Sequence, residues 1–329
     1  MTTTTKTIIK LFNDDYDALA RIHNLVFADF AQSADEFRFD DSKRPERCRH
    51  ARWIAEQDGE AVGYAQYDQH AYIFDAYKFT IEIGVDPDHL RGGIGTALYN
   101  TVIDALQPLR PTSITTWCRD DMPCYLRFLS GRGFTESMRM WVSELDMATY
   151  NARPFEKYTR AVLDDGVQIM SRAELVGDPD LNRKLFDLWS EVREDMPLPA
   201  GEVRSEMTFE EWSEYQDHPS RLDEGYFVAF VDGQLVGTSQ LWLSLDEPDL
   251  LRTGLTGVRR AYRRRGIAFA LKLRALEYAK TQRHIRRVIT DNGSTNRPML
   301  AINEALGFVK KPAWIFFSGQ WSVVSGQGR

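Results

Sequence analysis

Cysteine is scarce in this chain of 329 residues: there are three, Cys48, Cys118 and Cys124, and no two of them form a C-x-x-C pair. That pattern leaves neither a disulfide framework nor a thiolate zinc site, and a reduced, cytoplasmic setting is the natural expectation. The six histidines show no metal-ligand spacing, so no metal is expected. No stretch approaches the roughly 18 uncharged apolar residues of a membrane-spanning helix, and the leading M-T-T-T-T-K lacks the apolar region of a secretory signal. No excess of positive charge is present either. The net charge of −7 and a pI near 5.5 argue against bulk nucleic-acid binding. The phosphate-loop patterns G-x-x-x-x-G-K-[ST] and G-x-G-x-x-G are both absent. With 43% hydrophobic and 27% charged residues, the composition is that of a globular protein. The length fits two domains.

What the chain does contain is a long internal repeat. I-A-E-Q-D-G-E-A-V-G at 54–63 is echoed by V-A-F-V-D-G-Q-L-V-G at 228–237. L-R-G-G-I-G-T-A-L at 90–98 is echoed by R-R-R-G-I-A-F-A-L at 263–271, and Gly133-Phe134 by Gly307-Phe308. Gly59 and Gly233 lie 174 apart, Gly93 and Gly266 173, and Gly133 and Gly307 174. Solenoid units run about 20–50 residues, so this period means a duplicated domain. The polar stretch between the copies places an N-terminal domain at 1–150, a linker at 151–165 and a C-terminal domain at 166–329.

Each copy reads β-α-β-β-β-α-β-α-β. In the first, strands are expected at 7–11, 53–57, 61–66, 78–85, 114–118 and 139–145. Helices are expected at 14–30, 96–106 and 123–130 from their apolar spacing. The Asp58-Gly59 pair marks a hairpin, and 31–50 reads as a loop or short helix. In the second, strands fall at 167–171, within the hairpin 226–243, and at 251–258, 287–290 and 314–317. Helices fall at 180–192, 266–280 and 298–306, with a longer insertion at 195–225. This order implies an α/β fold, each half a mixed sheet flanked by helices.

The stretch with chemical content is strand, Gly-rich turn, helix. Amides at such a turn and at the helix N-terminus have no internal partner, and with the helix dipole they favour an anion. Arg91, Gly92, Gly93, Ile94, Gly95 and Thr96 form this device in the first copy, following the strand end at Val85. Arg263, Arg264, Arg265, Gly266, Ile267 and Ala268 form it in the second, following Val258. Three consecutive arginines add positive charge there.

The Asp-Gly hairpin, the strand ends at Val85 and Val258, the R-x-x-G-x-A loop of Arg263, Gly266 and Ala268, and the closing Gly-Phe occur in this order twice. Taken together the chain resembles the GNAT superfamily of acyl-CoA-dependent N-acyltransferases over nearly its whole length, as two tandem GNAT domains in a mycothiol-synthase-like arrangement. The resemblance implies acetyl-CoA as co-substrate, lying in a V-shaped gap between splayed strands. Its pyrophosphate would sit on the loop amides, and its pantetheine would pair with the strand ending at Val85 or Val258. The copies are unequal. The first has Leu90 where the family prefers Arg or Gln, and Met122 where the second has the family's Asn, Asn296. The second copy is therefore expected to be the better cofactor binder.

Acetyl transfer needs a base for the amine and an acid for the thiolate. Many family members place a Tyr seven residues after that Asn. Here Asn303 and Leu129 stand at the two positions, and Tyr125, one helical turn from Leu129, could substitute. Glu82, on the strand ending at Val85, is the candidate base; its counterpart is Leu255. Asp249 and Glu247 precede the equivalent strand and could act through water.

Each of these residues also has a plainer role open to it. Glu82 can be salt-bridged, Tyr125 can be packing, Asn296 can be a helix cap, and Trp189, Trp212 and Trp242 can be core. The resemblance implies an N-acetyltransferase of the EC 2.3.1 class, in which a primary amine of a small molecule attacks acetyl-CoA directly in a ternary complex. No nucleic-acid or membrane partner is expected, and a homodimer stays open. The alternatives are a non-catalytic acyl-CoA sensor and an acetyltransferase of protein N-termini or lysines. The first half is either a second site or a scaffold.

Overall fold

A computed structural model describes residues 6–326 of the chain. Residues 1–5, which carry the secretory-signal reading, lie outside the described residues. The first repeat contains β1 (Ile8–Leu11), α1 (Tyr16–Val26), α2 (Ala34–Ser42), β2 (Ala51–Gln57), β3 (Glu60–Asp68) and β4 (Lys78–Val85). It continues with α3 (Ile94–Leu106), β5 (Ser113–Arg119), α4 (Pro123–Ser130) and β6 (Thr135–Asp146). The second contains α5 (Glu156–Asp164), β7 (Gln168–Ser171), α6 (Leu181–Arg193), α7 (Phe209–Glu214), β8 (Arg221–Val231) and β9 (Gln234–Leu243). It ends with β10 (Leu250–Val258), α8 (Ile267–Thr281), β11 (Arg287–Gly293), α9 (Arg297–Ala305), β12 (Val309–Gln320) and α10 (Trp321–Val324).

Local chemistry explains most of these elements. Both hairpins turn on an Asp-Gly pair with two positive φ values, 51° and 85° at Asp58-Gly59 and 49° and 76° at Asp232-Gly233. That is the two-residue turn whose twist matches the flanking strands. α1 is capped by Asp15, whose side chain accepts from the Ala18 amide, and buries Leu19, Ile22 and Val26. The polar segment 31–50 holds one short helix, α2, which starts where Ser33 and Glu36 form a capping box. A second box, Thr208 with Glu211, starts α7 within the 195–225 insertion.

The chain forms two compact units that do not follow one cut in the sequence. The first comprises Met1–Arg139, Leu198–Met207 and Pro312–Arg329, and the second Met140–Pro197 and Thr208–Lys311. The backbone thus changes unit within β6 and again within β12. In the first unit the strand order is β1-β2-β3-β4-β5-β12, and in the second β6-β11-β10-β9-β8-β7. β12 runs antiparallel to β5 from Trp314↔Arg119 to Gln320↔Ser113. β6 runs antiparallel to β11 from Asp146↔Arg287 to Met140↔Gly293. Within each unit the run of strands therefore includes one strand drawn mainly from the other repeat. This differs from the expected boundaries at 150 and 166, because strand pairing is not local in sequence.

The expected linker 151–165 is also not a bare connection. Residues 156–164 form α5, with Phe155, Tyr158 and Val162 at helical spacing, and α5 packs against α8. Each unit has its own core. Leu98, Val102, Leu106, Ile114 and Phe134 anchor the first. Val236, Leu271, Ala279, Val288 and Phe308 anchor the second.

Candidate cofactor and acyl-transfer sites

Each unit contains a wedge between two parallel strands. β4 pairs with β5 only from Lys78↔Ser113 to Thr80↔Thr115, and β10 with β11 only from Leu250↔Arg287 to Arg252↔Ile289. Beyond those points the strands part. The β4 edge from Ile81 to Val85 and the β10 edge from Thr253 to Val258 keep main-chain groups that an extended ligand can pair with. A threonine pair closes each vertex. Thr80 Oγ1 lies 2.9 Å from Thr115 Oγ1, and Thr253 Oγ1 donates to Thr290 Oγ1 at 2.6 Å.

At the open ends, the two Gly-rich loops have matching backbones. Leu90 (φ −64°, ψ 154°) and Arg263 (φ −70°, ψ 165°) are both extended. Arg91 and Arg264 take φ of 69° and 63°, and Gly93 and Gly266 take 85° and 76°. α3 and α8 then begin at Ile94 and Ile267, and neither start carries a side-chain cap. Gly92, Gly93, Ile94, Gly95 and Thr96, and Arg265, Gly266, Ile267 and Ala268, thus occupy a turn and first helical turn with outward amides. Leu90 leaves that backbone intact. What it lacks is the bond made by Arg263, whose Nε donates to the Val258 carbonyl at 2.9 Å and ties loop to strand.

The arginine run is mostly neutralised locally. Arg259 pairs with Glu191 at 2.6 Å, Arg260 and Arg263 share Asp195, and Arg265 binds Asp165 at 2.6 Å. The Arg260 and Arg263 guanidiniums hold the Asp195 carboxyl down to about 2. Arg264 is exposed and makes no ion pair among the described residues. It is the arginine of this run left to meet an incoming anion.

Beside the loops, the units diverge. In the second, a cavity of about 420 Å³ opens next to Gly266 and Arg265, lined by Phe155, Tyr158, Ala161, Val162, Phe269 and Ala305. In the first, Arg132 bridges α3 and α4. It lies 3.5 Å above the Phe128 ring and 4.7 Å from that of Tyr99, and it donates to Thr96 Oγ1 at 3.3 Å and to the Phe128 carbonyl at 3.1 Å. Thr96 therefore already has a partner. Leu306 and Phe269 stand at the equivalent places in the second unit.

The wedge strands differ as well. β4 keeps an unbroken register with β3 from Asp68↔Thr80 to Gly63↔Val85. β10 slips against β9 between Thr253 and Thr256, leaving Gly254 and Leu255 without a register partner. A bulge of this kind re-aims the strand and frees main-chain donors. The Val85 amide donates to Tyr125 Oη at 3.4 Å, so in the first unit a side chain occupies the strand end. Burial pushes the Tyr125 hydroxyl up to about 12, so it stays protonated.

Glu82 is buried within a network. Tyr64 Oη donates to its Oε1 at 2.5 Å and Trp117 Nε1 to its Oε2 at 3.0 Å, while His23 Nδ1 stands 3.4 Å from Oε1 and 2.9 Å from Tyr64 Oη. Burial raises the Glu82 carboxyl, but His23, Tyr64 and Trp117 outweigh it and hold the group below its ordinary range. A carboxylate so satisfied is a poor base for an incoming amine. Trp117, which donates to it, stacks on Phe27 and lies in one ring cluster with Phe30, Trp314 and Phe316. Because its folded pKa lies below the unfolded one, Glu82 contributes stability that is present above the unfolded value and lost as pH falls through the folded one. Glu82→Gln is expected to cost the first unit about 1–3 kcal/mol at pH 7. Urea melts taken from pH 7 down to 3.5 should show the gap to the native protein closing on the acid side.

In the second unit Asn296 caps α9, its Oδ1 accepting from the Met299 amide at 3.4 Å, whereas Met122 offers α4 no side-chain cap. Glu247 and Asp249 sit at the start of β10, bound to Arg287 at 2.6 Å and 3.8 Å, at the end of the strand opposite the Gly-rich loop. Trp212 is buried between Phe186 and Phe209.

Sequence reasoning missed one group. Lys272 is 3% exposed, and its Nζ donates to Asn303 Oδ1 and to Thr290 Oγ1. Asn303 Nδ2 in turn donates to Asn292 Oδ1 at 2.5 Å. The signal was there, since Lys272 shares a helical face with Ala268, Ala275, Leu276 and Ala279. Among the described residues no cluster of His, Cys, Asp or Glu could hold a metal ion, and no helix is long and apolar enough to cross a membrane.

Residues 16–134 and 185–308 each match the acetyltransferase (GNAT) family, so the chain belongs to that family and carries two of its domains. The structure is similar to a tandem GNAT protein from the clavulanic acid biosynthesis pathway, with 19% identity over 96% of this chain and 99% of that one and a TM-score of 0.72. It is also similar to a GCN5-related N-acetyltransferase from Sphaerobacter thermophilus, with 20% identity over 96% of both chains and a TM-score of 0.68. A GNAT-family acetyltransferase from Colwellia psychrerythraea aligns over 95% of this chain and the whole of its own, with 10% identity and a TM-score of 0.61. No curated protein sequence matches the chain.

Proposed function

We propose that the second unit binds acetyl-CoA and transfers its acetyl group to a primary amine of a small molecule, by direct attack in a ternary complex. The observation that carries this reading is a complete set of parts in one wedge: an open strand edge, a bulge, a loop with free amides and an adjacent cavity. Pyrophosphate would rest on the amides around Gly266, Ile267 and Ala268 and meet Arg264. The pantetheine arm would pair along β10 to Val258, and Asn296 would remain a cap at the edge of the site. The bulge donors would hold the thioester oxygen as charge builds on it. The first unit has the loop, Arg91 to Thr96, but its groove is bridged by Arg132 and its strand end is taken by Tyr125. It serves as a scaffold in this reading, with Glu82 and Tyr125 in structural rather than catalytic roles.

The pairing of Arg259, Arg260, Arg263 and Arg265 with carboxylates supports a site built for one small anion rather than for a nucleic-acid backbone. Calorimetric titration with acetyl-CoA is expected to give one site per chain. Arg264→Ala should weaken binding by about tenfold, the effect of one partly screened contact to phosphate. Two sites of equal affinity would overturn the scaffold role of the first unit. Release of CoA thiol with a panel of small amines separates the enzyme from a sensor, which binds without turnover.

A further inference from the structure

The tyrosine that many relatives use to protonate the departing thiolate is replaced in both repeats, by Leu129 and Asn303. In the second unit the replacement is not empty. Asn303 is 1% exposed, and its side-chain oxygen accepts from the Lys272 ammonium, which reaches in from α8. The same ammonium donates to Thr290 Oγ1 at 3.4 Å, and Thr290 accepts from Thr253 at 2.6 Å. Thr253 and Thr290 are the residues immediately after the last β10–β11 pair, Arg252↔Ile289. Lys272 therefore sits at the vertex of the wedge.

The position of the reacting sulfur follows from length. The free edge from Val258 back to Thr253 spans about 16–17 Å at the rise of an extended strand, and a fully extended pantetheine arm has a similar reach. An arm anchored by its pyrophosphate at Gly266 and paired along this edge ends at the vertex.

We propose that Lys272 is the general acid of the second unit, giving an Nζ proton to the sulfur that leaves during acetyl transfer. This rests on the function proposed above. The amine nitrogen bonds to the thioester carbon, the C–S bond breaks, and sulfur takes the bonding pair together with the Lys272 proton. The acceptor nitrogen loses one proton as it becomes an amide nitrogen, and that proton restores Lys272, so none is gained or lost overall.

The surroundings suit this task. Burial pushes the Lys272 ammonium down to about 7, against the opposing pull of Asp291 on β11. Arg252 on β10 also acts electrostatically on Asp291, α9 presents the neutral Asn303, and the Phe308 ring lies 5.1 Å from Nζ. An acid of that strength is well matched to a thiol near neutral pH. The first unit has Tyr99 at the equivalent position, turned to the Val324 carbonyl at 2.6 Å, and it lacks this arrangement.

The test titrates the thiol of CoA bound to the whole protein, following thiolate absorbance, so that it needs no acceptor amine. In the native protein the bound thiol should ionise about one to three pH units lower than free CoA, the effect of a cation within a few ångströms. In Lys272→Met the shift should vanish while CoA still binds. With any amine that is turned over, this variant should be slower by about 100-fold or more, and the alkaline fall of the native rate profile near pH 7 should disappear. A bound thiol that titrates like free CoA, or equally in both proteins, overturns the assignment. So does loss of CoA binding in Lys272→Met, which would make Lys272 a structural support. Failure of the native protein to bind CoA would instead overturn the cofactor reading itself.

Discussion

Gly266→Asp is expected to remove acetyl-CoA binding to this protein, lowering affinity by about 100- to 1000-fold. The glycine takes φ +76° at the residue before α8, in the left-handed region that an L side chain enters only at a cost. An added Cβ would stand 3.1 Å from Val162 Cγ2, so α5 must also give slightly. The larger effect is electrostatic. A carboxylate here would lie a few ångströms from the pyrophosphate, and two like charges at about 4 Å repel by about 4 kcal/mol at the effective dielectric near a protein surface. Gly266→Asn is the matched control, having the same shape, tolerance of this backbone and no charge, and it should lose no more than about tenfold. Gly93→Asp, at the same place in the first loop, should leave the calorimetric titration unchanged. Unaltered binding in Gly266→Asp would place the cofactor elsewhere.

Removing the end of the chain should unfold the unit built mainly from its beginning. Trp314, on β12, is fully buried in the first unit. It stacks on Phe27 at 5.4 Å, packs against Trp117 at 5.3 Å, and donates from Nε1 to Asp29 at 3.0 Å. Trp314→Ala deletes a large aromatic and leaves Asp29 without that partner, a change expected to cost about 3–5 kcal/mol. Deleting Pro312–Arg329 goes further. It takes away the strand paired with β5 and the partner of Tyr99, and with them residues Ile315, Phe317 and Val324 of the first core. The expected result is a first unit open to proteolysis within residues 6–139, with the 208–311 segment protected. A truncated chain whose first unit melts at the native temperature would contradict the exchange of strands.

Much of the architecture was legible in the sequence, for a local reason. The Asp-Gly turns, the strand over Lys78–Val85, the helix over Pro123–Ser130 and the Gly-rich loops are all decided by residues within a few positions of each other. The inequality of the two loops was legible as Leu90 against Arg263 and Met122 against Asn296. The structure adds that Leu90 leaves the backbone conformation unchanged and that Arg132 and Tyr125 fill the first groove. Helix α5 was hidden by its polar composition, although Phe155, Tyr158 and Val162 carried the spacing.

The sequence by itself determined that this protein is a duplicated α/β domain of the GNAT family, and which short stretches form its two Gly-rich loops. Turn chemistry and hydrophobic period act over a few residues, so they can be read without a partner. Only the tertiary structure decided that β6 and β12 complete sheets begun in the other repeat. It also decided that Glu82 lies satisfied among His23, Tyr64 and Trp117, and that Lys272 meets Asn303 at the vertex of the second wedge. Those outcomes depend on strand pairing and side-chain burial between residues up to two hundred or more positions apart, and no local pattern encodes which distant group will arrive.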